Sequence, residues 1–216
     1  MDKQYWEKFY SGMIAPVNPT PFARYFFEKY MTQGQCILDL GCGNGRDSVF
    51  FARHGLYVTG VDQCAQELAR IQTNECEHRL SLVACDMSEF PQNKYHAIYS
   101  RFSLHAVSEA TENILLAEIS RSLAENGLLA LEVRSTKDDL FGVGQPAGRN
   151  AFVTTHYRRF VDFHEIQEKI KALGFRIVEA NESRGFAPYQ NEDPVVIRVI
   201  ALWPSATEEA TVALQA

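Results

Sequence analysis

The sequence alternates short apolar runs of strand type with segments of helical periodicity, and this alternation restricts the fold more than any other feature. The first five strand-like runs are CILDL (36–40), YVTGVD (57–62), LSLVACD (80–86), HAIYSRF (96–102) and LLALEVR (128–134). Helix-like segments separate them at 46–54, 64–72 and 109–124. Strands that alternate with helices form a mostly parallel sheet with helices on both faces. The sequence therefore predicts an α/β fold with a Rossmann-like, doubly wound sheet.

The last third of the chain supplies two more strand-like runs. FRIVEA (175–180) and VVIRVIALW (195–203) follow a helix-like segment at 163–173. We expect the two runs to pair at one edge of the sheet, with one of them antiparallel. The predicted sheet thus has seven strands, mostly parallel, with the last strand antiparallel.

The first 31 residues precede this alternation. They combine two short helical patterns, at 4–12 and 22–31, with the proline-rich link APVNPTP at 15–21. We interpret residues 1–31 as an N-terminal helical cap whose first helix forms a lid over the bound molecules, with packing against the sheet as the alternative. The lid aromatics are Tyr5, Trp6, Phe9 and Tyr10.

The segment 135–165 is unusually long for a connection between a strand and a helix. A connection of this length without clear structure is usually functional or disordered, and this one carries aromatic residues and arginines. We interpret it as an active-site insert. Residues 1–204 are expected to form a single domain, and residues 205–216 a disordered tail.

Composition argues against several classes of function. The 216 residues carry a formal net charge of -6 and no lysine- or arginine-rich block, so binding to nucleic acid or to an anionic membrane is not expected. The N-terminus lacks the apolar core of a signal peptide, and no run approaches the roughly 18 apolar residues of a membrane span. The five cysteines form no CxxC pair. They predict reduced thiols in a cytoplasmic protein, with neither a disulfide frame nor a metal site.

The turn between the first strand and the next helix, ILDLGCGNGRDS (37–48), is rich in glycine. Glycines are needed where backbone dihedrals are unusual or where a ligand touches the main chain. A phosphate-binding loop would need GxxxxGK followed by Ser or Thr, which the sequence lacks. The dinucleotide fingerprint GxGxxG, begun at Gly43, would place its third glycine at Ser48. Cys42 is interpreted as a small side chain packed under the turn, with a reactive thiol as the alternative.

Three acidic residues end the first three predicted strands. Asp39 lies two residues before Gly41, where a carboxylate would repel a pyrophosphate but suits an ammonium group. Asp62 lies 17 residues after Gly45 and could accept hydrogen bonds from both ribose hydroxyls, while Asp86 could accept one from an adenine amine. S-Adenosylmethionine offers these donors and carries no phosphate. The acids therefore favour this nucleoside over a nucleotide.

Over about residues 34 to 135 the sequence resembles the class I S-adenosylmethionine-dependent methyltransferases. ILDLGCGNG is similar to their nucleoside-binding turn, GVD to their ribose acid and ACDM to their adenine acid. The resemblance implies methyltransferase activity, S-adenosyl-L-methionine as cofactor, and the strand order 3-2-1-4-5-7-6 with strand 7 antiparallel. The residues expected to bind the cofactor are Asp39, Gly41, Cys42, Gly43, Asp62, Gln63, Asp86, Met87 and Ser100.

Several functions are compatible with this resemblance. GNGRDSVFFARHGLYVTGVD followed by SRFSLHAV looks like small-molecule methyltransferases, including the tellurite-resistance type, and favours transfer to oxygen, nitrogen or a chalcogen of a metabolite. Methylation of RNA or protein is opposed by the acidic charge balance and by SRFS, which stands where an NPPY-like tetrapeptide would be expected. A non-catalytic nucleoside binder is the third alternative. A doubly wound domain that merely shares the glycine turn is the alternative to the family itself.

Methyl transfer from a sulfonium is a direct displacement, so the protein must mainly align the acceptor and exclude water. His105, after the fourth strand, is a candidate general base because histidine titrates near neutrality; packing beside Phe102 is its alternative. Tyr157, next to His156 in the insert, is the second catalytic candidate, with aromatic packing as its alternative.

The loops expected to surround the acceptor are rich in arginine. Arginine binds carboxylate or phosphate through two parallel hydrogen bonds, so we expect a small, anionic acceptor. Solvated or acid-paired arginines are the alternative. The residues expected to contact the acceptor are Tyr10, Arg101, His105, Arg134, Arg158, Arg159, Arg184 and Tyr189.

Overall fold

The computed structural model describes residues 3–11, 18–73 and 75–205. The strands of the central sheet are β1 (Cys36–Leu40), β2 (Tyr57–Asp62), β3 (Leu80–Ala84), β4 (Tyr95–Arg101), β5 (Leu123–Arg134), β9 (Arg176–Ser183) and β10 (Val196–Leu202). A second, small sheet contains β6 (Gln145–Pro146), β7 (Ala151–Val153) and β8 (Tyr157–Arg159). The helices are α1 (Lys3–Ser11), α2 (Pro21–Tyr30), α3 (Arg46–Arg53), α4 (Ala65–Leu68), α5 (Glu109–Ser122) and α6 (Phe163–Ala172).

The central sheet has the strand order β3-β2-β1-β4-β5-β10-β9. Strands β1 to β5 pair in parallel, whereas β10 runs antiparallel to both β5 and β9. The predicted order and the antiparallel last strand are therefore confirmed. The order reverses between β1 and β4, and doubly wound sheets bind ligands beyond the carboxyl ends of the strands at such a point.

Apolar side chains bury both faces of this sheet. On one face, Leu115 of α5 and Ile166 of α6 belong to a continuous buried cluster. On the other face, Phe26 of α2 and Phe51 of α3 belong to a second cluster. Each helix thus buries one apolar stripe against the sheet, which is the packing that a doubly wound fold requires.

Side-chain caps fix where several helices begin. Thr20 Oγ1 accepts a hydrogen bond from the Ala23 amide, and Pro21 occupies the first turn of α2, where a missing amide hydrogen has no consequence. Ser108 and Asp162 cap α5 and α6 in the same way. The caps satisfy amides that have no partner inside a helix.

The structure differs from the sequence-based prediction in three places. The segment 64–72 forms only the single turn α4, after which the chain places Ile71 against Gly45. β5 begins at Leu123, earlier than predicted, because Leu123 pairs with Tyr95 of β4; the register then shifts, and pairing resumes between Leu128 and Ala97. The insert 135–165 contains the regular antiparallel sheet β6-β7-β8, in a segment that shows no strand periodicity.

Parts of the terminal predictions lie outside the described residues. Helices α1 and α2 match the two helical patterns of the predicted cap, but 12–17 of the link between them are not described. Of the predicted tail only Ser205 is described, and it is buried. None of the described helices is long and apolar enough to cross a bilayer.

Candidate active site

The glycine turn after β1 has no room for a side chain at Gly41. Gly41 has a φ of 81°, and a Cβ built there would lie 2.4 Å from Ser103 Oγ. Ser103 Oγ also donates a hydrogen bond to the carbonyl oxygen of Leu40 at 2.6 Å. The amides of Gly41 and Cys42 donate to the carbonyl oxygen of Val61 at 2.8 and 2.9 Å. The turn is therefore held from both sides, with its main chain close to the crevice.

Asp62 ends β2 and braces the turn. Its two carboxylate oxygens accept hydrogen bonds from the amides of Gly43 and Cys64, both at 2.9 Å. A carboxylate offers about four acceptor positions, so part of its capacity is left for the hydroxyl groups of a ligand. The predicted ribose acid thus also has a structural role that the sequence did not reveal.

Asp39 lies beneath the turn and is only 3% exposed. Its carboxyl group accepts a hydrogen bond from Ser48 Oγ at 2.6 Å. Burial, followed by the negative charge of Asp47, raises the pKa of Asp39 to about 7. A cation that approaches this group favours its charged form, so Asp39 is poised to gain charge when a cationic ligand binds.

A small cavity that opens to solvent lies in front of the turn, at the tips of β2 and β3. Its lining residues are Gly41, Asp62, Gln63, Asp86 and Met87. Gln63 Nε2 is buried without a hydrogen-bond partner in the described part of the chain, and a buried donor of this kind favours a ligand that accepts from it. Asp86 is held by the amide and hydroxyl of Ser88 at 2.9 and 2.7 Å.

Four of the residues predicted to bind the cofactor, namely Asp39, Cys42, Gly43 and Ser100, are buried and do not line this cavity. Burial raises the pKa of the Cys42 thiol well above its ordinary value, so the thiol stays protonated, as expected for a packed side chain. Ser100 is fully buried in β4, and its hydroxyl has no hydrogen-bond partner among the described residues. Gly43 is part of the braced turn through its bond to Asp62.

On the other side of the crevice, His105 is buried in a 3₁₀ turn at 104–106 after β4. Its ring centroid lies 5.3 Å from that of Phe102. Burial first, and then interactions with four basic side chains, lower the pKa of His105 well below its usual value. These side chains are Arg134, Arg158, His156 and Arg101. His105 is therefore neutral near pH 7, and its surroundings oppose a proton on its ring.

The two arginines best placed to bind an anionic ligand are Arg134, at the end of β5, and Arg158, in β8. Arg134 pairs with buried Asp138 at 3.2 Å and with exposed Glu192 at 2.8 Å. Arg158 lies 3.1 Å from His156 Nε2 and has no carboxylate within 4 Å in the described part of the chain. Burial, followed by the charge of Arg134, lowers the pKa of Arg158. This guanidinium lacks a counterion, which an anionic ligand would supply.

The other residues predicted to contact the acceptor do not offer an arginine without an acid partner beside His105. Three of the arginines pair with acids of the protein, namely Arg101 with Glu132, Arg159 with Glu112 and Arg184 with Asp139. Tyr189 is exposed, and burial raises the pKa of the partly buried Tyr157. Tyr10 belongs to α1, but its side chain lies outside the described residues.

Two features next to His105 were not predicted. Phe102 has a φ of 54°, a conformation that is rare for a bulky residue and concentrates at functional sites. Its ring lies 4.4 Å from the guanidinium carbon of Arg101. The Tyr5 ring stacks on the His156 ring at 4.1 Å, so α1 lies against the insert, a position that fits the predicted lid. No sequence signal gives the Phe102 conformation.

A buried hydrogen-bond network joins α2 to the glycine turn. Asp47, at the start of α3, accepts hydrogen bonds from the Thr20 amide at 2.7 Å, the Thr20 hydroxyl at 2.8 Å and the Tyr99 hydroxyl at 3.0 Å. The segment that leads into α2 is therefore anchored beside Asp39. The GRD sequence after the turn carries this acid, but its partners lie too far along the chain to be predicted.

Comparison with known proteins agrees with this geometry. Residues 37–127 match the family model described as "Methyltransferase domain". An uncharacterized methyltransferase of Synechocystis sp. is 26% identical over 101 residues, 47% of this chain and 48% of the relative. Another, of Mycobacterium tuberculosis, is 31% identical over 99 residues, 45% of this chain and 49% of the relative. The chain thus spans about half the length of these curated relatives.

Solved structures share the fold over most of the chain. The 1,6-didemethyltoxoflavin-N1-methyltransferase of Burkholderia thailandensis superposes with a TM-score of 0.69 at 21% identity, covering 86% of this chain and 77% of that one. A SAM-dependent methyltransferase of Methanosarcina mazei gives 0.72 at 16% identity, covering 87% and 99%. The [4+2]-cyclase SpnF gives 0.74 at 16% identity, covering 94% and 95%, so this fold also hosts other chemistry. Residues 37–127 thus match a methyltransferase domain, and the chain shares its fold with S-adenosylmethionine-dependent methyltransferases of known structure.

Proposed function

We propose that the protein transfers a methyl group from S-adenosylmethionine to a small anionic metabolite. Binding of the methyl donor is supported by the cavity in front of the glycine turn. Its lining includes the carboxylates of Asp62 and Asp86 and the side-chain amide of Gln63, whose nitrogen has no hydrogen-bond partner among the described residues. These acceptors suit a ligand with hydroxyl and ammonium donors, and they oppose a pyrophosphate. The narrower likeness to tellurite-resistance methyltransferases stays a prediction.

The residues present fit the donor group by group. In the proposal Asp62 accepts from the ribose hydroxyls, Asp86 from the adenine amine, and Asp39 supplies negative charge beneath the ammonium end. Gly41 lines the cavity, and a glycine is required there because a Cβ would meet Ser103. When bound, S-adenosylmethionine supplies a methyl group that its sulfonium already activates. The protein then has to orient the acceptor and exclude water.

The proposal of an anionic acceptor rests on the difference in carboxylate partners between Arg158 and the other predicted arginines. Arg101, Arg134, Arg159 and Arg184 each have a carboxylate partner, whereas Arg158 has none among the described residues. Arg158 is also partly buried beside His156. An anionic acceptor would complete this charge arrangement, so we assign Arg158 as its principal contact and Arg134 as the second.

His105 does not have the properties of a general base in this proposal. Protonation of His105 would place a further cation near Arg134 and Arg158, and its low pKa reflects burial first and then those charges. The same charges stabilise the ionised form of a bound acid, such as a carboxylic acid, an acidic phenol or a thiol. We therefore propose that the acceptor enters as an anion and that neutral His105 orients it.

The experiment that tests the function is transfer of label from [methyl-³H]S-adenosylmethionine to a metabolite extract. The expected result is label in small products whose parent compounds bind an anion-exchange resin. Arg158→Gln should strongly reduce the labelled product, whereas Arg149→Gln, an exposed arginine of the same insert, should not. Label in RNA or protein, or in cationic metabolites alone, would contradict the proposed acceptor. Absence of any labelled product across extracts, with the donor bound, would favour a non-catalytic binder.

The cellular setting proposed is the cytoplasm. None of the five cysteines, all of which lie in the described part of the chain, forms a disulfide. Burial raises the pKa of the thiols of Cys42, Cys76 and Cys85. Free thiols persist in a reducing compartment.

A further inference from the structure

The loop between β9 and β10 reaches across the acceptor side of the crevice. We call residues 184–195 the strap. Arg184 Nη2 lies 2.6 Å from Asp139 Oδ1 of the insert, and Arg184 Nη1 donates to the carbonyl oxygen of Asp193 at 2.8 Å. Tyr189 and Glu192 exchange two backbone hydrogen bonds at 2.8 and 2.9 Å, which form a tight turn. The strap therefore holds Glu192 in a defined position above the sheet.

The Glu192 carboxylate binds the outer face of Arg134. Glu192 Oε2 lies 2.8 Å from Arg134 Nη2, and the Glu192 side chain is 58% exposed while that of Arg134 is 11% exposed. The inner face of Arg134 is held by Asp138, whose side chain is 1% exposed and whose two oxygens lie 3.2 Å from Nη1. Arg134 thus has one permanent buried partner and one partner on an exposed loop.

Glu192 also acts on Arg158. After burial and the charge of Arg134, which lower the pKa of Arg158, the next influence is the charge of Glu192, which raises it. Arg158 nevertheless has no carboxylate within 4 Å among the described residues. Glu192 is therefore the exposed acid that neighbours both arginines to which the anionic acceptor was assigned.

We propose that Glu192 occupies the anion position of the empty acceptor site and that a bound acceptor displaces it from Arg134. This inference rests on the proposed function, because it takes the same arginines as the acceptor site. Glu192 then selects among ligands, because only a ligand whose anionic group competes with the Glu192 carboxylate for Arg134 binds tightly. A neutral ligand of the same shape leaves Glu192 in place and binds weakly.

The test uses benzoate, a small planar carboxylate, titrated at constant ionic strength into full-length protein saturated with S-adenosylhomocysteine. Loss of the competing carboxylate in Glu192→Gln should tighten benzoate binding about fivefold, the scale of a partly exposed ion pair. Glu75→Gln is the matched control, because Glu75 is another exposed partner of an arginine, far from the insert in sequence. This control should leave benzoate binding unchanged. Thermal unfolding of each variant verifies that it is folded.

A double variant separates competition from a general change in charge. Glu192→Gln added to Arg158→Gln should give no gain in benzoate affinity, because the principal anion contact is gone. Equal or weaker binding to Glu192→Gln than to wild type, or no benzoate binding to any variant, overturns the inference. If S-adenosylhomocysteine itself fails to bind, the proposed function falls with it; if it binds and the gain is absent, only the role of Glu192 falls.

Discussion

The two sides of the crevice carry opposite charge. On the donor side, carboxylates stand at or just beyond the tips of β1, β2 and β3, and two of them face a cavity in front of the glycine turn. On the acceptor side, the charges of arginines from β4, β5 and the insert, namely Arg101, Arg134 and Arg158, lower the pKa of His105. A cationic donor and an anionic acceptor would each find the complementary side. In the proposed function, charge therefore directs each substrate to its own side of the crevice.

The same contrast occurs between two neighbouring residues of the insert. Arg158 and Arg159 are adjacent in β8, so their side chains point to opposite faces of the small sheet. Arg159 pairs with buried Glu112 and donates to the carbonyl oxygen of Val107. Arg158 has no acid partner among the described residues. One arginine therefore holds the insert on α5, and the other is left for a ligand.

The largest expected effect is a difference in the free energy of unfolding between variants of these two arginines. Arg159→Gln leaves Glu112, which is 1% exposed, with Lys169 alone at 3.0 Å, and should lower the free energy of unfolding by about 3 kcal/mol. Arg158→Gln should stay within about 0.5 kcal/mol of wild type, because it removes no ion pair. Urea unfolding of both variants checks this. Equal losses would mean that Arg158 is structural.

The next effect concerns the donor side alone. Asp62→Ala should weaken S-adenosylhomocysteine binding about a hundredfold, because hydrogen bonds to the ribose and the brace to Gly43 are both lost. Calorimetry with a 2′,3′-dideoxy analogue separates the two losses. Wild type should bind the analogue less well than the parent, whereas Asp62→Ala should bind both alike. A variant that still prefers the parent would show that another residue reads the ribose.

A smaller effect is expected at Asp39, where one substitution should stabilise the fold and weaken ligand binding. Its pKa in the folded protein is about 7, above the ordinary value of 3.8, so the folded state holds an extra proton between these values and loses stability as the pH rises through them. Asp39→Asn should therefore stabilise the protein by on the order of 2 kcal/mol near pH 8, with less gain near pH 4. The same variant should bind S-adenosylmethionine more weakly. Thermal unfolding against pH checks the first part, and a destabilised variant at pH 8 would contradict it.

The smallest effect is expected at the exposed end of the donor site. Asp86 is exposed, and both hydrogen bonds that hold it come from Ser88, so Asp86→Asn should weaken S-adenosylhomocysteine binding only about threefold. The inosine analogue, which lacks the amine, should bind wild type and variant alike. If the variant loses as much affinity as Asp62→Ala, the ranking of the donor acids is wrong.

The donor side was predictable from sequence because it is local. Strand periodicity, a glycine turn and acids at strand ends all lie within short windows, and hydrogen bonding in the sheet then fixes their relative positions. Asp62 and Gly43 come together for this reason. The strand order followed from the resemblance and is confirmed by the sheet.

For the acceptor side, only the abundance of arginine in the loops was predictable from the sequence. An arginine-rich set of loops was visible, but which arginine pairs with which acid depends on contacts between distant segments, such as Arg101 with Glu132 and Arg159 with Glu112. Glu192, the partner that we propose to be displaced, lies 58 residues after Arg134. The left-handed Phe102 breaks a local preference, as residues at functional sites do.

The proposed function requires that the acids of the first three strands hold a cationic nucleoside without phosphate. Titration calorimetry of the full-length protein with S-adenosylmethionine, S-adenosylhomocysteine and NAD⁺ tests it directly. We expect saturable heat with both nucleosides and none with the dinucleotide. Tight binding of NAD⁺, with no heat from either nucleoside, would contradict the account.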